Sequence, residues 1–319
     1  MASKRKAAPG QQGLQILSQG PITVIEEDFL SEPMGAVRSS IEDRVRLSLR
    51  EPFRPTSLRD LDPDHGSLFR YIMKRIGEGP PSTSSQSGGT LTHAMVSGAV
   101  PIAPFDGVRR GEKFEAHVAA HPGALTPTMT EHAKSRALYE RLRGHTLAAP
   151  RLFGDHARHE VELAFEMLGL QFVCHPDVLT RVDGEEAISE LKTARSAHPD
   201  ALRAACISYG YLAQLAAYRI ARRQDLGSDT APIACFLVGI ESAPPYEITV
   251  FRASESALTF GEKQLSLWVE RLKGAISAFE SGAGMSAWPE AAQTVLALDV
   301  DDLGAELVFP DEGADEDAA

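Results

Sequence analysis

Hydrophobic and polar residues follow a strand pattern in the second half of the chain, where apolar residues alternate with polar ones or form short continuous runs. Five segments fit this pattern: HEVELAFEML (159–168), QFVCHPDVLTRV (171–182), EEAISELKTA (185–194), APIACFLVGIE (231–241) and YEITVFRA (246–253). Turn-forming pairs separate three neighbouring pairs of segments, namely Gly169-Leu170, Asp183-Gly184 and Pro244-Pro245. The pattern therefore predicts a sheet built from these segments.

Helical spacing of apolar residues predicts helices before, between and after the strands. The segments are SLFRYIMKRI (67–76), TLTHAMVSG (90–98), TEHAKSRALYERLRGH (130–145), PDALRAACISYGYLAQLAAYRIARRQDLG (199–227) and SALTFGEKQLSLWVERLKGAISAFESG (256–282). Ser57 is expected to cap a helix, and GEGPPSTSSQSGG (77–89) is expected to be a loop. The 199–227 segment is predicted to be one long helix that packs on the sheet through a single stripe at positions 202, 206, 209, 212, 213, 216 and 220. The expected fold class is α/β, with a mixed central β-sheet flanked by helices and a helical N-terminal part.

Composition divides the chain into three parts. Residues 1–50 read as a tail and a weakly patterned segment with one strand candidate, PITVIEEDF (21–29). Residues 51–298 carry the regular pattern and are expected to form the folded domain. Residues 299–319 hold nine acidic residues and no basic one, which predicts a disordered acidic tail. With 43% apolar and 24% charged residues, the chain has the composition of an ordinary globular protein.

The sequence predicts a cytoplasmic protein without a membrane partner. No uncharged apolar run approaches the ~20 residues of a membrane span, and the basic start of the chain lacks the apolar stretch of a signal peptide. Cys174, Cys206 and Cys235 are odd in number and widely spaced. We therefore expect them to be reduced and buried, without a disulfide, zinc or iron–sulfur site.

The net charge of −12 comes mostly from the acidic tail, because residues 1–298 carry a net charge of only −3. Basic residues cluster in two places within those residues. The first cluster comprises Lys134, Arg136, Arg141, Arg143, Arg151 and Arg158, and the second comprises Arg203, Arg219, Arg222 and Arg223. Such clusters can contact a phosphate backbone, although solvated helix faces have the same composition.

Asp183-Gly184 is a strong signal for a two-residue turn, and it fixes the register of the hairpin around it. In that register Leu179 faces Ile188, and Asp177 faces Glu190. Cross-strand partners share one face with Cβ atoms ~5 Å apart. Lys192 lies on the same face, because strand side chains alternate. The sequence thus brings two acids and one lysine together.

Two carboxylates held this close repel each other unless a cation lies between them. A hard divalent metal with oxygen ligands is the simplest remedy, and Mg²⁺ suits the site best, with Mn²⁺ as a substitute. Lys192 could then orient a water molecule or stabilise a charged transition state. The alternative is that the acids diverge into solvent at the strand ends, as in an ordinary charged hairpin.

Three motifs in order along the chain resemble a known superfamily. HPD (175–177) followed by ELK (190–192) resembles the signature of the PD-(D/E)xK nucleases. Gln214 and Tyr218 match the Q-x-x-x-Y motif of the RecB-type branch. GGTLTHAMVSG (88–98) resembles the Gly-x-x-x-His helix of that branch. The span from about 55 to 290 is most similar to the RecE-type, exodeoxyribonuclease VIII-like group.

This resemblance implies a restriction-endonuclease-like core and a metal-dependent deoxyribonuclease. His93, Asp177, Glu190 and the main-chain carbonyl of Leu191 would hold the metal. Lys192 would position the attacking water, and Gln214 and Tyr218 would complete the catalytic set, with Tyr211 and Arg222 on the same helix face. In this group the substrate is linear double-stranded DNA, cut exonucleolytically in phage-type recombination. A single-strand annealing recombinase as partner and a homo-oligomer are further features of the group.

Other interpretations remain open. Glu160 and Glu162 could add a carboxylate to the site, although strand acids usually face solvent. HARHE (156–160) invites a zinc hydrolase interpretation, but its spacing fits neither H-E-x-x-H nor H-x-x-E-H. No G-x-x-x-x-G-K-[ST] loop for ATP is present. The same fold could also be a non-catalytic DNA-end or protein-binding module, or an endonuclease. All four of the His, Asp, Glu and Lys positions are present, which favours an enzyme.

Overall fold

The computed structural model describes residues 34–63, 66–79 and 84–290. The chain divides into two units, Met1–Ile41 and Glu42–Ala319. Residues 34–41 of the first unit are described, and they are helical. The strand predicted at 21–29 and the acidic tail predicted at 299–319 lie outside the described residues.

The second unit contains both helices and strands. The helices are α1 (Met34–Ser48, which begins in the first unit), α2 (Leu68–Arg75), α3 (Ser84–Ser97), α4 (Glu112–Ala120), α5 (Met129–Arg143), α6 (Ala149–Phe153), α7 (Pro199–Ser208), α8 (Tyr211–Asp225) and α9 (Glu255–Ala278). The strands are β1 (Arg158–His159), β2 (Leu163–Met167), β3 (Leu170–Cys174), β4 (Val178–Val182), β5 (Glu185–Ala194), β6 (Ile233–Glu241) and β7 (Ile248–Arg252). A 3₁₀ helix, Pro55–Leu61, precedes α2.

The central sheet has the strand order β1-β4-β5-β6-β7. The third and fourth strands of this order, β5 and β6, run parallel, and every other pair is antiparallel. β6 is almost wholly buried, as its continuous apolar run predicts. The helices α7 and α8 connect β5 to β6, which is the connection that parallel strands require. The predicted α/β fold with a mixed sheet is confirmed.

The segments 159–168 and 171–182 were each predicted as one strand, and each is two. β2 and β3 form a separate two-stranded sheet, whereas β1 and β4 belong to the central sheet. Glu160 has a left-handed backbone with φ of +50°, which ends β1. Pro176 lacks an N–H group and cannot continue a strand ladder. The chain therefore leaves one sheet and joins the other at these two points.

The single long helix predicted over 199–227 is wrong, because the chain breaks between α7 and α8. Gly210 adopts a left-handed conformation with φ of +66°. A side chain there would also lie 2.6 Å from the Trp268 ring. The predicted stripe is interrupted at the break, because Tyr209 is 51% exposed, whereas its positions 202, 206, 213 and 216 are buried. By contrast, every residue of α8 from Ala213 to Arg219 is buried.

Two boundary predictions before the sheet are also corrected, and one helix there was not predicted. Ser57 lies inside the 3₁₀ helix Pro55–Leu61, and the cap of α2 is Ser67, whose Oγ accepts from the Arg70 N–H at 2.9 Å. α3 begins at Ser84, so it includes residues that were predicted to be loop. α4 was missed, because none of its residues is buried and its sequence carries no apolar stripe.

The three cysteines are free and buried, as predicted. Across the described ranges, none of the helices combines the length and apolar character needed to span a bilayer.

Candidate active site

The hairpin between β4 and β5 has the predicted register. Leu179 faces Ile188 and Arg181 faces Glu186. The ladder begins at the pair Val178 and Ser189, so Asp177 lies just before the first paired residue. Asp183 and Gly184 both have positive φ, as a type I′ turn requires. The register therefore places Asp177 and Glu190 together at the open end of the hairpin, opposite the turn.

Asp177 is held between a helix and a strand. Its Oδ2 accepts the main-chain N–H of Leu191 at 2.7 Å, and its Oδ1 lies 3.1 Å from His93 Nδ1. Burial alone would raise the pKa of Asp177, but the His93 ring, Lys192 and the Leu191 N–H stabilise the carboxylate and keep that pKa below its usual range. Asp177 is therefore an ionised carboxylate in a mostly buried position.

His93 reaches Asp177 because α3 approaches β5 closely. Gly89 lies one turn before His93 on α3, and a Cβ at this position would be only 2.9 Å from Thr193 Oγ1. The glycine thus allows the contact that sets the position of His93. Burial works to lower the pKa of His93, but the Asp177 carboxylate outweighs it, so the pKa is raised.

Glu190 and Lys192 project from the same face of β5, as their spacing predicts. Lys192 Nζ donates to Glu190 Oε1 at 2.7 Å. Burial and the negative charge of Asp177 raise the pKa of Glu190 to about 7. Burial would lower the pKa of Lys192, but Glu190 and Asp177 raise it, so Lys192 is a cation. The strand thus presents a buried acid and its cationic partner together.

Helix α8 supplies Gln214 and Tyr218 to the same place. The Gln214 amide donates to Glu190 Oε1 at 2.6 Å, and its Oε1 accepts from Lys192 Nζ at 3.1 Å. The amide also donates to the Tyr218 hydroxyl at 2.5 Å. Burial raises the pKa of Tyr218 well above its usual value, which keeps the phenol neutral. Gln214 is thus the link between helix and strand.

Tyr211 and Arg222, predicted on the same helix face, have different environments. The Tyr211 ring centroid lies 4.7 Å from Lys192 Nζ, a cation–π distance. Arg222 instead pairs with Glu186 at 2.8 Å and with Asp225. Arg219, in the same basic cluster, is buried and pairs with two glutamates of α9. These two arginines are therefore not a free phosphate-binding surface.

Glu160 joins the site, although its sequence context gave little indication of it. Single ligand atoms of His93, Glu160 and Asp177 lie within 4.8 Å of one another. Burial and the nearby Asp177 charge raise the pKa of Glu160. The left-handed backbone of Glu160, which sequence alternation could not predict, belongs to the turn that ends β1 beside Asp177. Glu162 is separate and lies 3.2 Å from His175.

The residues present fit a divalent cation. Glu190 Oε2 is buried, and no described residue donates a hydrogen bond to it. Its lone pairs are therefore free for a ligand. Carboxylate oxygens with one imidazole suit Mg²⁺ or Mn²⁺. The Leu191 backbone adjoins Asp177, and the metal-binding role of its carbonyl stays a prediction. Within the described part of the chain, His156 and His159 belong to no group of three metal-ligating side chains, so the zinc hydrolase interpretation gains no support.

Comparison with known proteins places this geometry in a family. Residues 93–282 match the family described as "PDDEXK-like domain of unknown function (DUF3799)". No curated protein matches the chain. A solved structure of a candidate exonuclease from Eubacterium rectale is 14% identical, covers 86% of this chain and 99% of its own, and has a TM-score of 0.52.

The alkaline exonuclease LHK-Exo from Laribacter hongkongensis is also 14% identical, with 76% of this chain and 97% of that chain covered and a TM-score of 0.35. A structure of LHK-Exo in complex with dAMP is 16% identical over the same shares, again with a TM-score of 0.35. The family match spans more than half of the chain and contains His93, Asp177, Glu190, Lys192 and Gln214. The predicted resemblance to the PD-(D/E)xK superfamily is thereby confirmed, and the chain belongs to the PDDEXK-like domain family. The RecE-type group within it stays a prediction.

Proposed function

We propose that the chain is a divalent-cation-dependent deoxyribonuclease that hydrolyses phosphodiester bonds. The observation that carries the proposal is that His93, Glu160 and Asp177 place ligand atoms within 4.8 Å of one another. Asp177 also bonds to β5, where Glu190 is hydrogen-bonded to Lys192 and Gln214. Sequence motifs alone leave each residue open to a separate structural explanation. Their convergence on one mostly buried place, with a free carboxylate oxygen, is hard to explain as packing.

Four side chains of the site would hold the cation: His93, Glu160, Asp177 and Glu190. The cation would be Mg²⁺ in the first instance, with Mn²⁺ as a substitute. A cation there would neutralise phosphate charge and lower the pKa of a water molecule. Asp177 is ionised in advance, because its hydrogen bonds favour the carboxylate. Metal binding would also neutralise the repulsion between the acids.

Lys192 is the cation that the chain itself supplies to the reaction. Two of its N–H groups are engaged by Glu190 and Gln214, and the Tyr211 ring covers another side. The ammonium group is therefore fixed in direction rather than free to rotate. We propose that it orients the attacking water and stabilises charge that develops on the phosphate. Gln214 and Tyr218 act through Lys192 and Glu190, so they are positioning residues.

We further propose that the substrate is linear double-stranded DNA, degraded exonucleolytically in recombination, as in the RecE-type group. Exposed basic residues on α5 support contact with a phosphate backbone: Lys134, Arg136, Arg141 and Arg143. The exonuclease name of the Eubacterium rectale protein, which is similar in fold, agrees with this proposal. A single-strand annealing partner and a homo-oligomer belong to the same proposal. So does a nuclease domain over residues 51–298, separate from the acidic tail.

The experiment that tests the proposal compares end-labelled linear duplex with closed circular DNA, each with Mg²⁺ and with EDTA. Loss of the linear substrate alone, prevented by EDTA, is the expected result. Cutting of both substrates would retain the site chemistry and replace the exonuclease by an endonuclease. Binding of DNA without cleavage in Mg²⁺ or Mn²⁺ would make the binding module the better account.

A further inference from the structure

An exposed tyrosine lies beside the candidate active site. Tyr209 directly follows α7 and is 51% exposed. Gly210 turns the chain in the left-handed conformation, and Tyr211 follows on α8. The two tyrosine rings have centroids 5.7 Å apart and are tilted by 32°. The turn thus displays one ring outward and directs the next ring inward.

Arg59 approaches the exposed ring from a different part of the chain. It belongs to the 3₁₀ helix Pro55–Leu61, and its guanidinium carbon lies 4.7 Å from the Tyr209 centroid. Arg59 is exposed. Within the residues that the structure describes, no acidic side chain pairs with it. An arginine that is held only by a ring face can move to a phosphate without breaking a salt bridge.

The ring contacts continue inward from Tyr209 to Lys192. The Tyr211 centroid is 4.7 Å from Lys192 Nζ. Tyr209 is therefore only two ring contacts away from the group proposed to orient water. A nucleotide close to the cleaved phosphodiester would have its base within reach of the Tyr209 ring and its phosphate within reach of Arg59.

We propose that Tyr209 and Arg59 form a stacking site for one unpaired nucleobase of the DNA strand being cut. This proposal rests on the proposed nuclease function. An aromatic face with an adjacent cation suits a base and its phosphate together, and it tolerates every base because each has a π face. Bases inside a duplex are covered by their neighbours, so only a terminal or frayed nucleotide offers a free face. The site would therefore favour strand ends over continuous duplex.

The test places the fluorescent base 2-aminopurine at each of the last few positions of either strand of a short linear duplex. Binding is measured with Ca²⁺ in place of Mg²⁺, under conditions where wild-type protein is verified not to cleave. Wild-type protein should quench 2-aminopurine at one or two terminal positions. Tyr209→Ala should abolish this quenching and raise Kd for the duplex by on the order of tenfold. Tyr209→Phe should keep both properties, because the ring remains.

Phe260→Ala is the matched control, since Phe260 is 48% exposed and takes no part in the contacts from Arg59 to Lys192. It should leave quenching and affinity unchanged. Arg59→Ala should weaken binding and lower its salt dependence, because one phosphate contact is lost.

Two negative outcomes are distinguishable. Wild-type protein that cleaves linear duplex in Mg²⁺, while Tyr209→Ala retains full quenching and affinity, would overturn the stacking site and leave the nuclease proposal intact. Wild-type protein that neither binds nor cleaves DNA would overturn the nuclease proposal and the stacking site with it.

Discussion

The side-chain amide of Gln214 lies 2.6 Å from Glu190 Oε1, so a buried glutamine on α8 fixes a buried acid on β5. The same side chain also accepts a hydrogen bond from Lys192. Gln214 therefore determines how the acid and the lysine face each other, although neither residue depends on it for its place in the strand.

Gln214→Ala should lower kcat by about 10- to 100-fold, the usual effect of removing a group that orients a metal ligand. Lys192 and Glu190 would keep their own contact but lose a shared partner. Gln224→Ala is the control, because Gln224 lies on the same helix and, among the described residues, its side chain bonds only to the main chain of Glu166. Equal kcat values for both variants would argue against a positioning role for Gln214.

The pH dependence of stability follows from Glu190 and His93. Both have pKa values raised in the folded protein, Glu190 from its ordinary 4.5 to about 7. A raised pKa means that the folded state holds the proton more tightly. The stabilisation from Glu190 is then complete below pH 4.5 and is lost as the pH rises through 7. The stabilisation from His93 is lost in the same direction, above its ordinary pKa of 6.5.

We therefore expect the metal-free protein to have a lower Tm at pH 8 than at pH 6. Added Mg²⁺ should raise Tm more at pH 8, because metal ligands must be deprotonated. Glu190→Gln should reduce both pH effects. A wild-type Tm shift with Mg²⁺ that is the same at both pH values would contradict the assignment of these ligands.

The close approach of α3 to β5 can be tested at two adjacent glycines. Gly89→Ala should weaken metal binding and activity, since the new Cβ would press on Thr193 Oγ1 and displace His93. The Cβ added by Gly88→Ala would have no neighbour within 4 Å. This variant should therefore only stabilise the helix, by about 1 kcal/mol. Thr193→Ala should restore activity to Gly89→Ala. Failure of this rescue, measured as kcat, would show that the contact does not position His93.

The break between α7 and α8 has a similar paired test. Gly210→Ala should destabilise the protein through two costs, the left-handed backbone and a collision with the Trp268 ring. Gly227→Ala bears only the first cost, about 1–2 kcal/mol, because no atom lies near its Cβ position. Urea unfolding should therefore give a larger loss for Gly210→Ala, by about 1–3 kcal/mol. Equal losses would mean that the Trp268 contact is easily relieved.

The sequence predicts those parts of this fold that local rules control. Alternation and the Asp183-Gly184 turn predict the β4–β5 register, and with it the common face of Glu190 and Lys192. The breaks are less predictable, because the space that requires glycine at position 210 is limited by Trp268, a residue far along the chain. Glu160 illustrates the same limit. It reaches the site only through a left-handed turn, whereas strand alternation predicts an ordinary surface acid.

The measurement that tests the central claim most directly is the rate of nucleotide release from linear duplex DNA in Mg²⁺, by wild-type protein and by Lys192→Ala and Lys192→Gln. Lys263→Ala, which changes a lysine on α9, is the control, and thermal melting verifies that all variants are folded. We expect wild-type protein and Lys263→Ala to release nucleotides at equal rates. Both Lys192 variants should lose at least about 100-fold in kcat, as for a group that stabilises transition-state charge. Full activity in the folded Lys192 variants would contradict the assigned active site.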